Sequence, residues 1–320
     1  MGKSIRLRDF IVDGDGWLYA VSTYDNSQRV GCVLRYIPDP AGERTRNSDG
    51  KRYRKLDFEA AYALIQCTKP TYANDVQRVP VEDVVSVLKP EEELGSICAR
   101  NEKVRELVDL FTLPGGAMGC TGSFLCGLEN EASDIDLVVY GDAWSTAQEQ
   151  LRRLIDEGWI RDLSPEMWRK VYTKREPSIP YDVFVLHEKR KWNRGEIGGT
   201  YFDLLFTRAY DNLENVPSGR GRVIDRRCIR ALVTDDSLAY DSPAIYGIEH
   251  EEISRVLSFT HTYSGQARKG EILEARGVCE EHEGEKWLVV GTSRIAPDEY
   301  IVSRTLMQDF TGNRRNAELR

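Results

Sequence analysis

Apolar positions arrive in short runs through residues 4–38: Phe10-Ile11-Val12, Trp17 to Val21, and Val30 to Ile37. Asp13-Gly14-Asp15-Gly16 and Asp25-Asn26-Ser27 separate them, which is the pattern of strands joined by turns. The Asp-Gly repeat lacks the later ligands and terminal Glu of a calcium loop, so it reads as a hairpin turn. Pro38-Asp39-Pro40-Ala41-Gly42 then opens a polar loop running through Lys55. From Phe58 the spacing becomes helical (Ala61, Tyr62, Leu64, Ile65) and stops before Pro70, and Val84 to Leu88 returns to strand character. Glu93 to Leu113 reads as one amphipathic helix, and Ile135-Asp136-Leu137-Val138-Val139 as a buried strand ending at Tyr140-Gly141. Ala143 to Gly158 is a second amphipathic helix, and Thr200 to Phe206 is a strand after the turn Gly198-Gly199. Beyond the turn-rich stretch Pro217 to Arg222, seven short strand-like runs suggest a compact barrel or sandwich. The segment from Thr311 is polar and reads as a frayed tail.

These patterns divide the chain into an N-terminal α+β domain (1–92), a central domain (93–215), a C-terminal β-rich, barrel-like domain (216–310) and a flexible tail (311–320). The length of 320 residues is ample for such a division. No apolar run reaches membrane-spanning length and the amino terminus lacks a signal-peptide core, so no membrane association is expected. Seven scattered cysteines without a Cys-x-x-Cys pair point to a reducing cytoplasm and away from structural zinc. Cys126 is read as a small packing residue. A net charge of −8 argues against a wide nucleic-acid-binding face while leaving room for a local patch.

The chemistry concentrates between Gly122 and Val139. Asp134 and Asp136 open the apolar strand two residues apart and therefore share a face, with Cα atoms roughly 6–7 Å apart. Two anions placed this way repel each other and lose hydration, and a divalent cation resolves the conflict. Mg²⁺ suits such a pair because it takes few carboxylates and fills its remaining positions with waters and phosphate oxygens. Upstream, Gly122 can bring the backbone close to a phosphate, and Ser123 can donate to it.

The Gly122-Ser123 pair, a spacer holding Gly127, and Ser133-Asp134-Ile135-Asp136-Leu137 together resemble the signature of the DNA polymerase beta-like nucleotidyltransferase superfamily, in its archaeal-type minimal form. The resemblance covers about 105–210 of the chain. It implies a Mg²⁺-dependent transfer (two ions, Mn²⁺ being the alternative) of a nucleoside monophosphate from an NTP to an acceptor hydroxyl on RNA, a protein or a small molecule. It also implies that Asp134 and Asp136 are metal ligands, that Gly122 and Ser123 hold the β,γ-phosphates, and that a third carboxylate comes from a neighbouring strand. Two acids are candidates for that third place. Asp203 lies within the strand Thr200 to Phe206, where an unpaired acid is costly, and is favoured. Asp182 follows Ser178 and Pro180, which look like a helix start, so it can equally be a first-turn acid. Arg194, in the run Lys189 to Gly195, is a candidate triphosphate ligand. The cations from Arg44 to Lys55 fit either a phosphate-contacting or a solvated loop, and Tyr263, Arg268 and Lys269 are candidate oligonucleotide contacts. A second reading keeps the fold without catalysis, as a nucleotide-sensing or RNA-binding protein.

Overall fold

A computed structural model describes residues 4–74, 76–213, 221–292 and 296–318, with side chains not described from residue 312 onward. In chain order the strands and helices are β1 (Phe10–Asp13), β2 (Leu18–Val21), β3 (Arg29–Pro38), β4 (Arg44–Thr45), β5 (Arg52–Lys55), α1 (Phe58–Thr68), β6 (Gln77–Pro80), β7 (Val84–Leu88), α2 (Pro90–Arg100), α3 (Glu102–Asp109), β8 (Met118–Cys120), α4 (Gly122–Leu125), β9 (Ile135–Tyr140) and α5 (Ala143–Asp156). They continue as α6 (Pro165–Arg175), α7 (Tyr181–Lys189), β10 (Arg194–Ile197), β11 (Thr200–Thr207), β12 (Arg222–Leu238), β13 (Ala244–Glu249), β14 (Arg255–Ser258), β15 (Ile272–His282), β16 (Glu285–Val290), β17 (Tyr300–Ser303) and α8 (Arg304–Glu318). The fold is mixed α and β, as expected.

The chain forms two compact units, Met1–Asp162 with Asn193–Val216, and Leu163–Trp192 with Pro217–Arg320. In the first unit, β4-β5-β3-β2-β1-β7 form one sheet with β6 paired to β3, and β10-β11-β9-β8 form a second. One face of the first sheet buries Ile11, Tyr19, Leu34 and Val79 against Ala61 and Ile65 of α1. The other buries Phe10, Leu18, Tyr36 and Tyr53 against Leu125, Cys126 and Leu128, which belong to the Gly-Ser segment. This second cluster is why the N-terminal 1–92 and the motif share a unit. Cys126 is a packing residue, as read, and burial raises its thiol pKa well above the ordinary value.

Helix ends follow local chemistry. Asp57 caps α1 by accepting the Ala60 N–H at 2.8 Å, and Pro90 begins α2 with Glu91 to Glu93 in its first turn. The helix expected over 93–113 is instead two, because the Asn101 side chain accepts the Val104 N–H at 3.0 Å and starts α3. The polar loop expected through Lys55 contains the β4–β5 hairpin, held on the sheet edge by β3. Arg6 is buried and ion-paired to Glu91 at 3.1 Å. Its guanidinium lies between the rings of Tyr140 and Tyr210, 3.8 and 3.7 Å from their centroids. Both hydroxyls donate to Glu91 at 2.9 Å, so the far ends of β9 and β11 are tied to α2 and to the N-terminal segment.

The second unit pairs β12-β13-β14-β16-β15-β17, and β12 also pairs with β15. The first part of the long β12 lies along β15 and its last part along β13, so the path of pairings returns on itself. α6 begins at Pro165 behind the Ser164 cap, and α7 begins after Pro180. Residues 163–192, read as part of the central domain from the sequence pattern, fall in this unit. α8 is helical to Glu318 where a frayed tail was expected, and the turn-rich Pro217 to Arg220 lies outside the described residues. Among the described residues no helix is long and apolar enough to cross a membrane.

His187 of α7 is fully buried, its Nδ1 donating to the Val183 carbonyl at 2.8 Å and its Nε2 accepting the Ser303 N–H at 2.9 Å. Burial, assisted by Arg190 and Lys191, lowers its pKa to about 4 from the ordinary 6.5. The folded state thus favours the neutral ring, and between about pH 4 and 6.5 the unfolded chain binds more protons. This contribution is complete above pH 6.5 and is lost as pH falls towards 4, by up to about 3 kcal/mol. Urea unfolding of the full chain across that range is expected to show the loss. A His187→Gln chain, though less stable throughout, should have a flatter pH dependence; equal slopes would refute the assignment.

Candidate functional site

The site is built where β8 hands the chain to β9. The two strands are antiparallel, with Met118 opposite Val139 and Cys120 opposite Leu137. The next N–H, from Thr121, donates to the carbonyl of Asp136 at 2.9 Å, and this fixes the following residue against the strand. That residue is Gly122, at φ +70°. A Cβ there would lie 2.7 Å from Asp136 Oδ2, so both the backbone conformation and the carboxylate demand glycine. Ser123 is half-buried in the single turn of α4, and its carbonyl accepts the Leu128 N–H at 2.9 Å.

On β9, Ile135, Leu137, Val138 and Val139 are fully buried, whereas Asp136 is half-buried and Asp134, just ahead of the strand, is exposed. β11 runs parallel to β9 with Asp203 opposite Asp136, Phe202 opposite Ile135 and Leu204 opposite Leu137. Register partners share a face, so Asp136 and Asp203 stand side by side on strands about 4.8 Å apart. β10 then places Arg194 opposite Asp203. The Arg194 side chain is buried, and its Nε lies 3.5 Å from Asp203 Oδ1. Arginine and two carboxylates thus follow one another across three neighbouring strands.

The residue types read from the sequence meet this geometry unevenly. Gly122, Asp136, Asp203 and Arg194 come together, with Ser123 and Asp134 on the chain segments that adjoin them. Arg194, expected at a triphosphate, lies against Asp203. Asp182 is a first-turn acid of α7, in the second unit. Tyr263, a candidate oligonucleotide contact, is buried, and its hydroxyl accepts the Ser178 N–H at 3.0 Å.

Among the described residues no group of three or more His, Cys, Asp or Glu side chains is arranged to hold a metal ion as it stands. The donor chemistry nonetheless fits Mg²⁺, which is commonly held by one or two carboxylates with substrate phosphates and water completing the shell. Asp203 Oδ1 is buried and, although Arg194 Nε lies 3.5 Å away, accepts no hydrogen bond among the described residues. Sequence reading missed the groups that hold the loop between the Gly-Ser turn and Asp134. Arg44 donates to the Leu128 carbonyl and Ser133 Oγ, and the Asn47 N–H donates to the Gly127 carbonyl. The signal was the run of cations from Arg44, but nothing local tells such a run from a solvated loop.

A helix, a strand leading into the Gly-Ser turn, a strand preceded by Asp134 and carrying Asp136, and a second helix follow one another here, and the family model Nucleotidyltransferase domain matches residues 100–193. The resemblance to the polymerase beta-like superfamily is thereby borne out. The chain belongs to the family of the uncharacterized protein MJ1086 of Methanocaldococcus jannaschii, to which it is 35% identical over 334 residues, covering 93% of this chain and 98% of that protein. No solved structure matches. The matched domain contains Gly122, Ser123, Asp134 and Asp136 and ends before Arg194 and Asp203.

The closeness of Gly122 to Asp136 yields a direct test. Gly122→Ala is expected to destabilise the chain by about 1–2 kcal/mol, from the left-handed backbone and the displaced carboxylate together. Urea unfolding measures it, with Gly115→Ala, which meets open space, as the control. A Gly122→Ala chain as stable as that control would show that the turn and the carboxylate are not packed together.

Proposed function

We propose that the chain is a Mg²⁺-dependent nucleotidyltransferase that moves a nucleoside monophosphate from an NTP to an acceptor hydroxyl and releases pyrophosphate. The observation that carries this reading is the juxtaposition of Gly122, Asp136 and Asp203, because folding alone gives no reason to place two carboxylates in register beside a turn without a side chain. When bound, Mg²⁺ would supply charge neutralisation at the triphosphate and at the attacking oxygen. Asp134 and Asp136 would hold it, with Asp203 as the third acid in preference to Asp182, since Asp203 alone of the two stands in register with Asp136. The bare backbone at Gly122 and the Ser123 hydroxyl would hold the β,γ-phosphates. As the acceptor oxygen bonds to the α-phosphorus and the bond to the pyrophosphate oxygen breaks, Asp203 would receive the acceptor's proton. Arg194 would keep the Asp203 side chain oriented. The returning path of pairings in the second unit supports the barrel-like form expected there.

One observation favours the second reading, a nucleotide sensor without transfer: Arg194 already neutralises Asp203. Incubation with labelled ATP, CTP, GTP or UTP and Mg²⁺, with total RNA or protein extract, separates the two. Transfer of label is expected, falling on the order of 10³-fold or more in Asp134→Ala/Asp136→Ala. Tight NTP binding without transfer to any acceptor, and without need of Mg²⁺, would establish the sensor instead.

A further inference from the structure

The loop 127–133 carries the chain from the Gly-Ser turn to Asp134, and residues 130–132 are exposed. Its internal bonds close only its tip. The Ser133 N–H donates to the Asn130 carbonyl at 3.0 Å, the Asn130 N–H to Ser133 Oγ at 2.9 Å, and the Ala132 N–H to Asn130 Oδ1 at 3.2 Å. Such a turn holds its own shape without fixing where the next residue sits.

Attachment to the body of the unit comes from the N-terminal sheet and from α2, whose Arg100 Nε lies 3.4 Å from Glu129 Oε1. The Arg44 Nη1 donates to the Leu128 carbonyl at 3.2 Å and to Ser133 Oγ at 3.1 Å, so one guanidinium joins the start of the loop to its last residue before Asp134. Arg44 is itself placed by register. It pairs with Tyr53, which is buried in the cluster that also contains Leu125, Cys126 and Leu128. Asn47, in the turn between β4 and β5, adds a backbone bond to the Gly127 carbonyl at 2.8 Å and a side-chain bond to Glu129 Oε1 at 2.8 Å. A planar guanidinium can reach two acceptors with little loss of freedom.

We propose that Arg44 is a positioning residue, fixing the loop that sets Asp134 relative to the Gly-Ser turn and to Asp136 on β9, so that the N-terminal sheet is part of the catalytic device. The inference rests on the transfer reading of that site, and two measurements on the full chain keep the two apart. In hydrogen exchange, Arg44→Ala is expected to speed exchange at the amides of residues 128–134 while the amides of β9 and β11 keep their protection. In transfer kinetics, kcat is expected to fall on the order of 10²-fold, as for a misplacement of about 1 Å, with KM for the NTP nearly unchanged. Arg44→Lys should recover part of the rate, and added guanidinium ion at concentrations far below denaturing should restore Arg44→Ala without stimulating the wild type. Unchanged loop exchange, an unchanged kcat, or a loss confined to KM would each overturn the proposal, the last making Arg44 a substrate-binding group. If Arg44→Ala does not fold, Arg44→Lys and Arg44→Gln carry the same comparisons. If the wild type transfers nothing, the reading of the site falls, while the exchange data still decide whether Arg44 holds the loop.

Discussion

The parallel pairing of β9 with β11 is the constraint on which the rest of the first unit depends. It sets Asp136 and Asp203 on one face of adjacent strands, at a separation where two carboxylates repel and each loses part of its hydration. Neither can be moved without shifting a register that also buries Ile135, Leu137, Phe202 and Leu204. The neighbouring groups are arranged around that conflict. Arg194 brings a positive charge from the next strand, and Gly122 leaves room by having no side chain. Charge rather than shape therefore identifies the site.

Holding such a face together requires support from elsewhere. Tyr140 at the end of β9 and Tyr210 just past β11 enclose Arg6 between their rings, and both hydroxyls donate to Glu91. At the near end, the apolar residues of the Gly-Ser segment pack on the N-terminal sheet. The site therefore sits between an electrostatic tie and a hydrophobic one, and both reach back into the first 92 residues. Those residues contain none of the reacting groups named above, yet they supply both ties.

The amino-acid sequence made the motif legible because its information is local. A period of two put Asp134 and Asp136 on one face, and Gly-Ser before such a strand has few other uses. The choice of Asp203 over Asp182 was also local, since Pro180 marks a helix start whereas Thr200 to Phe206 lacks any helix signal. The β4–β5 hairpin was hidden because its charges look like a solvated loop, and only the long-range burial of Tyr53 shows otherwise. One side-chain cap at Asn101 divided an apparently continuous amphipathic helix, an effect that periodicity does not register. α6 starts on a local signal, the Ser164 cap before Pro165, that periodicity does not register, and α8 is polar enough to read as a tail from Thr311. The pairing of Arg194 with Asp203 depends on register between strands, which no single strand discloses.

A site assembled this way works against stability. Two carboxylates and a buried arginine on one sheet face contribute less to folding than apolar residues of similar volume would, and a left-handed glycine adds conformational cost. The surrounding structure offsets these costs with fully buried strands and with the cluster centred on Leu125 and Leu128. Selection for a stable fold alone would remove the carboxylates first, because they are the cheapest groups to replace with a gain in stability. Their joint presence with Gly122 is therefore better explained by chemistry than by architecture, and it is the reason a catalytic reading is preferred to a purely structural one.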